Sequence, residues 1–131
     1  MTAATNKVAA SSYFEAVLNR GDMSAADRII SSDIQFHYPL GNLSGADAVK
    51  RYIEVVRTAF PDIHFHVADL ISEGDHIAAR WSLAGSQTGE FRGKAPTNKK
   101  ASLPGITIMN FEDGKIKEMW IAFDPARLIG D

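Results

Sequence analysis

The stretch Ile106-Thr107-Ile108-Met109-Asn110-Phe111-Glu112-Asp113-Gly114-Lys115-Ile116-Lys117-Glu118-Met119-Trp120-Ile121-Ala122-Phe123 decides the fold. Two apolar-rich runs, Ile106–Phe111 and Ile116–Phe123, flank Asp113-Gly114. Asp-Gly supplies the positive φ angles a tight hairpin turn demands, so the pair reads as two antiparallel strands. Upstream the period stays at two: Ile63, Phe65 and Val67 alternate with His64 and His66, Gly74-Asp75 marks a turn, and His76–Ala84 reads as the next strand. A short strand is expected over Asp33–Pro39.

The N-terminal half changes period. Ala10, Tyr13, Phe14, Val17 and Leu18 fall on one face of a helix that Gly21 ends. Ser24 with Asp27 resembles a capping box ahead of Ala26, Ile29 and Ile30. A third helix is expected from near Ser44, with Asp47 three residues on, a buried face of Val49, Tyr52, Ile53, Val56 and Phe60, and a stop at Pro61. The order is ααβαββββ, helices early and an antiparallel sheet late, which is the α+β class in one domain over residues 1–131. Gly85–Pro104, with many polar residues around Phe91, reads as a long hairpin arm whose tip overhangs the sheet.

Composition narrows function by exclusion. The 131 residues carry 14 basic and 16 acidic side chains and no cysteine, which removes disulfides, thiolate catalysis and cysteine-ligated zinc. No basic patch suits nucleic acid, no apolar run approaches a membrane span, and the N-terminus lacks a signal-peptide core, so a cytoplasmic protein with neither partner is expected.

A set of short motifs in fixed order resembles one family. Phe60-Pro61-Asp62, Glu73-Gly74-Asp75, Arg80-Trp81, Gly85-Ser86-Gln87-Thr88-Gly89, Ala95-Pro96-Thr97, Phe111-Glu112-Asp113-Gly114-Lys115-Ile116 and Trp120…Phe123-Asp124…Leu128 resemble the SnoaL-like polyketide (ester) cyclases, from about Val8 to Leu128. The resemblance implies the nuclear-transport-factor-like fold, a cone-shaped curved antiparallel sheet packed on three helices around a deep pocket. It also implies a cofactor-independent cyclase or isomerase acting on a small hydrophobic, polyketide- or terpenoid-like molecule. The family's last-strand catalytic aspartate falls at Ile121 and a companion histidine at Thr107, neither of which titrates near neutrality. In the related epoxide hydrolases an arginine is flanked by a second acid. Arg80 matches the arginine, but Ser82 stands in the acid's place.

With position 121 facing inward, strand alternation brings Met119 and Phe123 to the same side, and Thr107, Met109 and Phe111 to that side of the preceding strand. His37, before Pro39, reads either as a general base in the pocket or as a structural histidine on a backbone carbonyl. Arg80 reads as an anion or carbonyl binder in the cone or as an outer-face ion-pair partner. Tyr13 packs in the core with a hydroxyl that needs a partner, and Gln87 is placed to orient a ligand at the mouth. Asp124 is expected to cap the Pro125-Ala126-Arg127 turn, and His64 and His66 to lie on a solvated strand face rather than bind metal; no metal or cofactor is expected. Trp81 and Trp120 are assigned to the outer sheet surface, at a homodimer contact. Two other functions fit the same residues: a non-catalytic small-molecule binding or carrier protein, which the loss at position 121 favours, and a protein-interaction domain.

Overall fold

The computed structural model describes residues 3–129. Helix α1, Ala3–Ser12, runs directly into a π-helical segment, Tyr13–Asn19. Gly21, at φ +70°, turns the chain into α2, Met23–Ile29. Strand β1, Ile30–Tyr38, and the short β2, Gly41–Ser44, precede α3, Ala46–Ala59. Four long strands follow: β3 His64–Glu73, β4 His76–Ser86, β5 Lys100–Glu112 and β6 Lys115–Ala122; a short α4, Pro125–Ile129, ends the described chain.

The six strands form one curled, unclosed sheet in the order β2-β1-β6-β5-β4-β3. Every neighbouring pair is antiparallel except β1 and β6, which run parallel. The α+β class and the nuclear-transport-factor-like architecture expected from the sequence are what the chain adopts, with β2 and α4 added to the expected order.

Several local expectations change. The N-cap of α2 is Asp22, whose Oδ1 accepts from the Ala25 backbone N–H and from the Ser24 hydroxyl, so the Ser24–Asp27 pairing does not form the cap. Helix α3 begins after Gly45, because Ser44 is drawn into β2 and its hydroxyl donates to Gln35 Oε1. The arm after β4 does not overhang. Thr88 and Gly89 donate their backbone N–H groups to the carbonyl of Ala59 at the end of α3, and Phe91 is buried edge-on against Phe60.

Which side of the sheet is buried follows from register. In β4 the apolar set Ile77, Ala79, Trp81 and Leu83 points one way, toward the helices, while Arg80 and Ser82 point out. Ala79 pairs with Thr107 and Trp81 with Gly105 across β5, so the buried row continues through Leu103, Thr107, Met109 and Phe111. Gly105 is what admits the tryptophan, since a Cβ there would lie inside the Trp81 indole. Trp81 is therefore 4% exposed, and its assignment to the outer surface is corrected. The strand's own alternation, with three of the four apolar side chains on the 77-79-81-83 side larger than alanine, carried that signal.

Candidate functional site: a cavity between the sheet and the helices

The π-helical segment sets one wall. Widening the turn brings residues five apart into line, so Tyr13 and Leu18 reach the same space with Phe14 between them, while Val17 stays in the core. Two clasps fix the end of this segment. Asn19 donates its side-chain N–H to the Phe65 carbonyl at 3.0 Å and accepts from the Phe65 N–H at 2.7 Å, locking the helix to β3. Arg57 of α3 donates Nη1 to the carbonyls of Leu18 at 2.6 Å and Asn19 at 2.8 Å, satisfying two acceptors that the helix end leaves open.

Between these elements and the sheet lies a partly open cavity of about 80 Å³. Phe36 and Tyr38 of β1 and Tyr52, Ile53, Val56 and Arg57 of α3 line it on one side. Phe65, Trp81, Leu83, Thr107, Ile121 and Phe123 line it from the sheet. No carboxylate and no imidazole is among the described lining residues. The Trp81 Nε1–H donates to Thr107 Oγ1 at 2.9 Å, which satisfies the indole and uses the threonine oxygen. Burial pushes the phenols of Tyr13 and Tyr52 well above their ordinary range; Tyr52 adds to the effect at Tyr13, and Tyr38 adds to it at Tyr52.

The residues expected in the site divide in two. Tyr13, Thr107, Ile121 and Phe123 line the cavity; Met109 and Met119 point to the same side but are wholly enclosed in the core behind it. Gln87 is buried and spent on the loop. Its Nε2 donates to the carbonyls of Gly89, Lys94 and Ala95, and its Oε1 accepts from Thr97, so it does not orient a ligand at the mouth. His37 and Arg80 are on the opposite face. Arg80 Nε donates to Asp69 Oδ2 at 2.6 Å, and neither residue touches the cavity.

His37 sits between two acceptors, with Nδ1 2.8 Å from Asn42 Oδ1 and Nε2 2.7 Å from Glu118 Oε2, its ring stacked on Trp120. Alternation along β1 explains the placement: Ile34, Phe36 and Tyr38 take the inner side, leaving Gln35 and His37 outside. Asp124 Oδ1 accepts from the Ala126 N–H, the turn cap expected of it. His64 and His66 are exposed on β3, and no group of three or more His, Asp or Glu side chains among the described residues is placed to hold a metal. Tyr38 and Tyr52 are among the lining residues that the expected set lacks. Tyr38 shares the parity of Phe36, and Tyr52 lies on the apolar stripe of α3, so both were findable as inward tyrosines.

Comparison with known proteins places the chain. The family profile of SnoaL-like polyketide cyclases matches residues 8–130, and the chain belongs to that family. No curated protein sequence matches it significantly. Among solved structures, AclR of Streptomyces galilaeus, a candidate hydroxylase, is 30% identical with a TM-score of 0.83, over 97% of this chain and 83% of AclR. A candidate SnoaL-like polyketide cyclase from Jannaschia sp. CCS1 is 20% identical with a TM-score of 0.89, over 95% of this chain and 89% of its own. A nuclear-transport-factor-like protein of unknown function from Burkholderia pseudomallei K96243 superposes over the full length of both chains, with a TM-score of 0.80 at 20% identity. The family is that of polyketide cyclases, and AclR is described as a candidate hydroxylase.

Proposed function

We infer that the protein is a cofactor-independent enzyme that takes a small, mainly hydrophobic, polyketide- or terpenoid-like molecule into the cavity and cyclises or isomerises it. The observation that carries the reading is the cavity itself, walled by aromatic and aliphatic side chains from both layers of the fold and open at one end. Ile121 stands on that wall at the place where the family resemblance puts the catalytic aspartate, so ordinary carboxylate acid/base catalysis has no group to use there. A flexible chain of ketones confined among Phe36, Phe65, Trp81 and Phe123 loses the freedom that slows ring closure, and positioning alone supplies large accelerations.

The test is incubation of the protein with a synthetic aromatic polyketone methyl ester of the type SnoaL-like cyclases close, followed by absorbance and mass. Ring closure faster than in buffer, abolished when the cavity is filled by Leu83→Trp, is the expected outcome. One observation favours a second reading: a cavity with no carboxylate or imidazole among its described lining residues also suits a carrier. Saturable binding of the ester with no turnover would establish the carrier and end the enzyme reading. The outer face of the sheet is read as the contact of a homodimer, centred on Trp120 with Ile106 and Ile108.

A further inference from the structure

Tyr13 and Tyr52 reach the cavity from different elements, the π-helical segment and α3. Tyr13 is only 3% exposed. A tyrosine buried to this degree ordinarily gives its hydroxyl to a protein partner. Among the described residues neither the Tyr13 nor the Tyr52 hydroxyl makes a hydrogen bond, and neither oxygen is sealed into packing, since the sealed and unpartnered side-chain atom among the described residues is Asn6 Oδ1. Both side chains line the same cavity. Their rings are held from behind: Tyr13 lies edge-on to Phe14 at 5.4 Å between centroids, and Tyr52 packs on Tyr38 at 4.8 Å and on Phe36 at 6.0 Å.

We propose that the Tyr13 and Tyr52 hydroxyls form a two-donor receptor for a single carbonyl oxygen of the ligand. The proposal rests on the cavity being the binding site, and it deepens that reading by naming the ligand class: a neutral, ring-bearing ketone rather than a carboxylate or a plain hydrocarbon. Burial keeps both phenols protonated, and ionising Tyr13 is further opposed by Tyr52, so both remain donors over the whole neutral range. An anion entering would shed its hydration into a cavity whose wall is mostly hydrocarbon. Among the described lining residues the cation is Arg57, which already donates to the Leu18 and Asn19 carbonyls; Arg92, outside that lining, acts on Tyr52 only as the smallest of three influences. A ketone meets neither obstacle and satisfies two buried donors that are otherwise unmet.

Two matched probes test this: 2-acetylnaphthalene, a neutral ketone, and 2-isopropylnaphthalene, its hydrocarbon counterpart. Affinities are measured by calorimetry for the wild type, Tyr13→Phe, Tyr52→Phe and the double variant. The carbonyl stretch of carbon-13-labelled ketone is read by infrared difference spectroscopy on the wild-type complex. Each Tyr→Phe is expected to weaken the ketone roughly three- to tenfold, the range of one neutral hydrogen bond, and to leave the hydrocarbon unchanged or slightly tighter. The carbonyl band is expected to move to lower frequency in the wild type and to return in the double variant. An unshifted band in the wild type, or equal losses for ketone and hydrocarbon, overturns the receptor while leaving the cavity as the binding site. Failure of both probes to bind the wild type overturns the cavity reading and the receptor with it. The infrared measurement uses unaltered protein, so a variant that folds poorly does not shield the proposal.

Discussion

The two faces of the sheet are made by the same strands and share almost nothing chemically. On the inner face, Trp81, Thr107 and Ile121 line a cavity that has no acid among its described lining residues. One residue along each strand, the outer face carries Arg80 paired to Asp69 and His37 paired to Glu118, around a strip where Ile106 is 51%, Ile108 41% and Trp120 39% exposed. A one-residue shift in register exchanges these two sets. The fold therefore depends on devices that forbid the shift, and the missing Cβ at Gly105 facing the Trp81 indole is one of them.

The sharpest way to break the comparison is to truncate adjacent residues of β4. Trp81→Ala removes a buried indole that packs on Phe65 and Phe123 and is expected to cost about 3–5 kcal/mol, measured by urea unfolding. Arg80→Ala, its neighbour, removes an exposed ion pair and is expected to cost less than about 1 kcal/mol. Similar losses for the two would mean that the faces are not divided as described. Next in size, Trp120→Ala strips the centre of the outer strip; it is expected to weaken self-association in sedimentation by about tenfold or more while ligand binding in the cavity persists. A wild type that stays monomeric at high concentration refutes the dimer.

The smallest effect concerns pH. The hydrogen bond to Asn42, then that to Glu118, raises the His37 pKa above its ordinary value of 6.5. A raised folded-state pKa gives stability that is whole below the unfolded pKa and lost as pH rises through the folded one. The melting temperature is therefore expected to fall slightly as pH rises from 6 toward 8, with this component absent in His37→Gln. Catalytic turnover should not follow the same profile, since His37 lies outside the cavity.

Much of the fold was legible because its signals are local. Asp113-Gly114 turns β5 into β6, Gly21 ends the first helix, and Pro61 follows α3, each through a backbone preference of one residue. The inner wall of the two C-terminal strands was legible for the same reason, once Ile121 was assigned inward. The sequence leaves His37 and Arg80 open between the pocket and another role, and alternation along their strands turns both outward; Trp81, expected outside, is turned inward by the same parity. Gln87 was misread for a different reason. Its partners are the carbonyls of a loop with positive φ at Arg92, Gly93 and Asn98, a conformation no periodicity announces. Nor does periodicity mark the switch to π-helical pitch at Tyr13, since the apolar spacing there also fits an ordinary helix.

The parallel seam between β1 and β6 has a consequence for how the chain is made. Ile30 lies opposite Ile116 and Phe36 opposite Met119, so the strand that follows α2 waits for the last strand before it can bond on that side. During synthesis, β3, β4 and β5 can zip together as each leaves the ribosome, but α2, β1 and β2 have no sheet to join until β6 has emerged. The chamber is thus closed by the last of the described strands, and a chain that ends before Lys115 presents the open edges of β1 and β5 to chaperones or to its neighbours.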